Sequence, residues 1–148
     1  MDELKAKATT LLKCWETGDY RQIAGDLDAE FSEFDPPQRT VKGLDGLVAK
    51  QVLFRKVHGN IRVHVMQQVA NPRSVCTHFL LLADVVTPTG VQTVQQAGMA
   101  WVNFRDGKIV SHRVYRDTIG YLMQRGYRWD LGAMPRRPQS RVKKGAAA

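Results

Sequence analysis

Two places in the chain hold residues suited to proton-transfer chemistry: Asp35, directly before Pro36-Pro37, and the segment Lys108 to Arg116, with His112 to move a proton and Arg116 to hold charge. A carboxylate kept from water titrates higher than usual and can accept and return a proton near neutrality. An aspartate before proline equally suits a turn. If Lys108 to Arg116 is a strand, alternation sets His112, Val114 and Arg116 on one face and Ser111, Arg113 and Tyr115 on the other. Histidine changes charge near neutrality, and arginine keeps its charge to hold a carboxylate or a developing enolate. The same two residues also fit a hydrogen-bonded core histidine and a rim arginine paired with an acid. A register slip of one residue would bring Arg113 and Tyr115 inward instead. Asp117 is read as a helix N-cap bonded to Ile119 or Gly120. His78, in a strand dense in leucines, must find a polar partner or face a cavity, whereas His64 is placed outward.

The elements that would position these groups follow from spacing and turn chemistry. Residues 3 to 17 repeat apolar side chains at helical intervals (Leu4, Ala8, Leu11, Leu12, Trp15) and stop at Gly18-Asp19. Tyr20 to Leu27 reads as a second, shorter helix, and Phe31 to Phe34 as a strand broken by the prolines. Leu44 to Val57 reads as an amphipathic helix left near Gly59-Asn60. Four strands follow, Ile61 to Val69, Val75 to Val86, Val91 to Phe104 and Lys108 to Arg116, separated by turn residues, which gives an antiparallel meander. Asp106-Gly107 suits the positive φ of a primed hairpin turn. Gly98, in mid-strand, marks a bulge or bend. A short helix then runs from the Asp117 cap to Gly126. Helices followed by a long bent meander give an α+β layer whose sheet wraps over the helices and encloses a cavity.

The 148 residues fit one domain, 1–132, followed by a disordered basic tail over 133–148. The formal charge of +8 is uneven, because Arg136, Arg137, Arg141, Lys143 and Lys144 follow Pro135 with no acid among them. The body is mildly basic, which points away from nucleic acid. No apolar run approaches the roughly 18 residues of a membrane span. No signal peptide is visible, and Cys14 and Cys76 read as free thiols in a reducing compartment, so cytoplasm is expected. The four histidines lack paired ligand spacing and no glycine-rich phosphate loop occurs, so no metal and no cofactor is expected.

The order of elements, the Phe34-Asp35-Pro36 strand end, the Phe104-to-Val110 hairpin and the Asp117-to-Gly126 terminus together resemble the SnoaL-like polyketide cyclases. These belong to the cone-shaped superfamily of nuclear transport factor 2 and ketosteroid isomerase. The resemblance implies an α+β cone, a curved antiparallel sheet wrapped over N-terminal helices with an internal cavity. It aligns Asp35 with the general base of the ketosteroid isomerases, and it turns the His112–Arg116 face into the cavity. It also places a catalytic aspartate where this chain has Val114, so the aldol-cyclase acid/base is missing from its usual place. The catalytic set implied is Asp35 or His112 as base and acid, with Arg116 stabilising charge. The expected binding walls are Trp15, Phe31, Gln51, Phe54, His78, Gln96 and Val114, a mostly apolar lining for a hydrophobic, oxygenated small molecule. Trp101 is left as cavity wall or dimer contact.

The function so implied is cofactor-independent proton-transfer cyclisation or isomerisation of a polyketide- or terpenoid-type intermediate in a homodimer. Epoxide hydrolysis and a non-catalytic ligand-binding or dimeric interaction module are the alternatives.

Overall fold

A computed structural model describes residues 1–127 of the chain. Helix α1 (Asp2–Thr17) buries Ala8, Leu11, Leu12 and Trp15, positions one turn apart that form a single stripe. Strand β1 (Leu27–Phe34) leads through Asp35 to the two-residue β2 (Val41–Lys42) and then to α2 (Gly43–Arg55). Strands β3 (Gly59–Asn71), β4 (Ser74–Thr87), β5 (Gly90–Arg105) and β6 (Lys108–Arg116) follow, and α3 (Thr118–Gln124) closes the described chain. Among the described residues, no helix is long and apolar enough to cross a membrane.

The six strands of the described residues join one sheet in the order β2-β1-β6-β5-β4-β3, and α1 lies across β3 and β4. The meander β3 to β6 is antiparallel, with long continuous registers. The β5–β6 turn carries φ of 51° at Asp106 and 75° at Gly107, the paired left-handed residues of a primed turn. One pairing departs from an all-antiparallel sheet. β1 runs parallel to β6, with Glu33 opposite His112 and Phe34 opposite Arg113. That pairing also overrides the helix expected over Tyr20 to Leu27. Only Ala24–Asp26 forms a short 3-10 turn, because Leu27 already pairs with Ile109 and opens β1.

Gly98 is not a bulge. The β4–β5 ladder passes through Phe79–Gly98 without a shift, and the irregularities of the meander lie between Gly59 and Arg62 and between Val65 and Gln67 in β3, and between Asn103 and Phe104 at β5–β6. What the glycine provides is room. A Cβ there would overlap the Phe79 ring and approach the Tyr115 carbonyl oxygen at 2.9 Å. The Phe79 ring meets the Trp15 indole edge-on at 5.6 Å between centroids, which ties α1 to the sheet. Gly98→Ala is expected to lower unfolding free energy by about 1–3 kcal/mol in urea titrations, the usual effect of overpacking. Gly25→Ala, where a Cβ meets nothing within 4 Å, should change it by less than about 0.5 kcal/mol. Equal midpoints for the two variants would contradict this packing.

Asp117 caps α3, accepting from the Gly120 amide at 2.8 Å. The basic tail expected over 133–148 lies outside the described residues.

Candidate active site

The parallel β1–β6 pair builds the site. His112, Val114 and Arg116 of β6 point inward while Arg113 and Tyr115 face out. Phe31, Glu33 and Asp35 share the inward side of β1 and its extension. Register therefore sets the Glu33 carboxylate beside the His112 ring, with His112 Nδ1 donating to Glu33 Oε2 at 2.6 Å. A carboxylate only accepts, so Nδ1 carries the proton. From α2, Lys50 reaches over this pair, bonding Glu33 Oε1 and donating to Asp35 Oδ2 at 2.5 Å. Arg116 closes the chain with a two-pronged contact to Asp35, Nε to Oδ1 and Nη2 to Oδ2, both at 3.1 Å.

The result is a sealed row, His112–Glu33–Lys50–Asp35–Arg116, of two carboxylates, an ammonium and a guanidinium with a histidine at its end. The four charged side chains are each at most 9% exposed. Buried charges survive only when paired, and here they alternate in sign. Burial alone would push the Glu33 carboxyl up; the His112 hydrogen bond and charge, with the Lys50 ammonium, outweigh it and hold it at about 2.

Trp15 covers the row from α1, with Lys50 Nζ 5.7 Å and Arg116 Cζ 5.8 Å from its ring centre. Gln51 and Phe54 face the same interior from α2. Among the described residues, the wide hollow expected inside the cone is absent. Only about 10 Å³ remains among Trp15, Asp35, Lys50, Gln51, Phe54 and Arg116, because long charged side chains fill the centre.

Open space begins on the other side of Arg116. A cavity of about 230 Å³ is lined by Pro37, Gln38, Phe54, His58, Gln96, Arg116, Tyr121 and their neighbours. Arg116 borders both spaces. Its Nη2 also reaches Gln38, and its Nη1 donates to Gln96 Oε1 at 3.3 Å, while Gln96 itself donates to the Asp117 carbonyl. Among the described residues this leaves one N–H, on Nη1, without a partner. A shallower apolar groove of about 540 Å³ runs along α2 past Val41, Ala49, Leu53 and Val57, sharing Gln38, Phe54 and His58 with the cavity.

The residues expected to form the site thus separate into three groups. Trp15, Asp35, Gln51, Phe54, Gln96 and Arg116 border the interior space, the cavity or both. His112, Phe31 and Val114 are fully buried and border neither; Phe31 and Val114 pack in the solid apolar core. His78 is a correction. It is exposed on the outer face of β4, because Thr77 and Phe79 take the inward positions. Trp101 is also on the outer face, 45% exposed.

Glu33 and Lys50 were missed, though the pattern contained them. Glu33 is two residues from inward Phe31, and Lys50 falls on the helical face of Leu47, Gln51 and Phe54. His58 and Tyr121 were missed for want of any local signal.

A family model for SnoaL-like polyketide cyclases matches residues 6–125. The chain belongs to that family. No curated protein matches it. Among solved structures, a hypothetical protein from Catenulispora acidiphila with a ketosteroid isomerase-like fold, in complex with trimethylamine, superposes with a TM-score of 0.72 at 14% identity, covering 84% of this chain and 96% of that one. AclR from Streptomyces galilaeus gives 0.71 at 21% identity, covering 88% and 89%. TsrD from Streptomyces laurentii gives 0.71 at 16%, covering 84% and 96%. At these identities the structures show the shared fold alone. Where the family resemblance placed a catalytic aspartate, the SnoaL-like chain here has a buried valine at 114.

Proposed function

We propose that this SnoaL-like protein catalyses a cofactor-independent proton transfer, cyclising or isomerising a hydrophobic carbonyl compound of polyketide or terpenoid type. The observation that carries the reading is the position of Arg116. Its guanidinium is fixed from behind by Asp35, flanked by Gln38 and Gln96, and turned toward a cavity walled largely by apolar and aromatic groups. A preorganised donor in a poorly solvated pocket stabilises a developing oxyanion far better than water does. Asp35 acts in this scheme as the anchor of Arg116 and Lys50, since both its oxygens already accept from cations. His112 is fully buried against Glu33 and serves the charged row rather than the substrate. Epoxide hydrolysis draws no support, because it needs a free carboxylate to activate water and Val114 supplies none.

The test uses 2-tetralone, a fused-ring ketone with an acidic α carbon, in D₂O. The protein is expected to accelerate deuterium incorporation at C1, followed by proton NMR, well above the buffer rate. The nearly filled floor of the cone favours a second reading, a binding module without chemistry. That reading predicts binding of 2-naphthol, which mimics the enolate, with tetralone exchange no faster than in buffer.

We also propose that two copies pair through the outer sheet face, where Met99, Trp101 and Tyr115 are about half exposed and cross-strand register makes them neighbours. Sedimentation equilibrium should give twice the chain mass, and Trp101→Lys the single mass.

A further inference from the structure

Two titratable groups outside the charged row, His58 and Tyr121, converge on the cavity. His58, just beyond α2, donates from Nδ1 to the Phe54 carbonyl at 2.9 Å, and its ring stacks on Phe54 at 4.0 Å between centroids. A carbonyl cannot donate, so the Nδ1 proton is fixed and Nε2 is left as the acceptor. Nε2 takes the Tyr121 hydroxyl proton in a hydrogen bond of 2.6 Å. The Tyr121 oxygen accepts in turn from Arg125 Nη1 at 3.3 Å. Both His58 and Tyr121 line the same cavity as Arg116.

We propose that Tyr121 and His58 form a proton relay that serves as the catalytic base of this site. The relay rests on the reading of Arg116 as holder of the substrate oxygen. In the forward step the C–H bond next to the carbonyl breaks, and its proton passes to Tyr121 Oη. The phenol's own proton moves to His58 Nε2. The electron pair of the C–H bond stays with the substrate as an enolate, whose oxygen Arg116 holds. Returning the proton through the same pair to a different carbon isomerises the substrate. If the enolate carbon first closes a ring onto a second carbonyl, the relay returns the proton to the new alkoxide. No oxidant, reductant or metal enters the balance.

Electrostatics keep the relay in its working state. Burial lowers the His58 pKa from the ordinary histidine value; the Phe54 carbonyl opposes this, and the charges of Arg125 and Arg116 add to the lowering. Lys50 and Arg39 border the adjoining groove, so among the described residues that line the cavity and the groove, every charged side chain beside His58 is a cation. The imidazole is thus neutral and ready to accept at pH 7. It becomes an imidazolium only while an enolate is present to balance it.

The experiment measures 2-tetralone deuteration and 2-naphthol binding in wild type, Tyr121→Phe and His58→Gln. Expected is a fall of about 10²-fold or more in exchange for both variants, the usual share of a positioned acid–base group, with 2-naphthol affinity within threefold of wild type. The wild-type rate should also show an acid limb below pH 6.5, absent from the residual rate of His58→Gln. Exchange at the wild-type rate in both variants overturns the relay and leaves Arg116's role standing. Loss of 2-naphthol binding in Tyr121→Phe overturns it too, making Tyr121 a wall of the pocket. A wild type that binds 2-naphthol but never exchanges 2-tetralone overturns both the relay and the enzymatic reading.

Discussion

Replacing Arg116 by methionine is expected to slow 2-tetralone deuteration about 10²–10³-fold, the effect of deleting one oxyanion donor. Methionine keeps most of the side-chain bulk against Trp15 and Phe54, whose rings lie within 6 Å of the guanidinium carbon. Asp35 retains Lys50 as its counter-ion, so the carboxylate is not stranded. The loss should appear mainly in kcat, because the enolate oxygen is more negative than the ketone it forms from. Arg116→Lys keeps the charge but not the planar fork that grips Asp35 and Gln96 together, and should recover only part of the rate. An unchanged rate in Arg116→Met would remove the group on which the proposed chemistry turns.

The second large effect is on stability. Glu33→Ala leaves Lys50 half-neutralised and takes the carboxylate from His112 Nδ1 in a site closed to water. Breaking a buried ion pair from one side costs about 3–5 kcal/mol, enough to unfold a large share of a marginally stable domain. The same carboxylate sets an acid limit. Its folded-state pKa of about 2 lies below its ordinary value of 4.5, so the unfolded chain binds the extra proton first. Glu33 therefore contributes its full stability above about pH 4.5 and loses it as pH falls toward 2. Between those limits, urea midpoints should drop more steeply for wild type than for Glu33→Gln. Parallel curves would mean that Glu33 is not held ionised by its neighbours.

Much of this architecture can be read from local chemistry. The Asp106-Gly107 turn, the Ala8–Leu11–Leu12–Trp15 stripe and the inward set His112, Val114 and Arg116 depend on residues close in the chain. The charged row does not. It exists because β1 lies parallel to β6, some eighty residues away, and that register sets Glu33 beside His112. Alternation from Phe31 puts Glu33 on the buried side, yet an acid in a four-residue β stretch reads first as exposed. Lys50 is similar. It occupies an inward helical position, but a lysine is buried only if acids await it, and those acids come from another element. The same long side chains explain why a hollow cone was expected and a filled one is found. His58 and Tyr121 meet only because α3, packed on β5, brings Tyr121 to the residue that follows the end of α2, which no spacing within either segment encodes.

The most direct measurement is a crystal structure of the protein with 2-naphthol bound. The naphthol oxygen is expected about 3 Å from Arg116 Nη1, on the side facing Tyr121, with the rings between Phe54 and Leu122. A naphthol lying in the α2 groove against Val41, Leu53 and Val57, its oxygen away from Arg116, would contradict it.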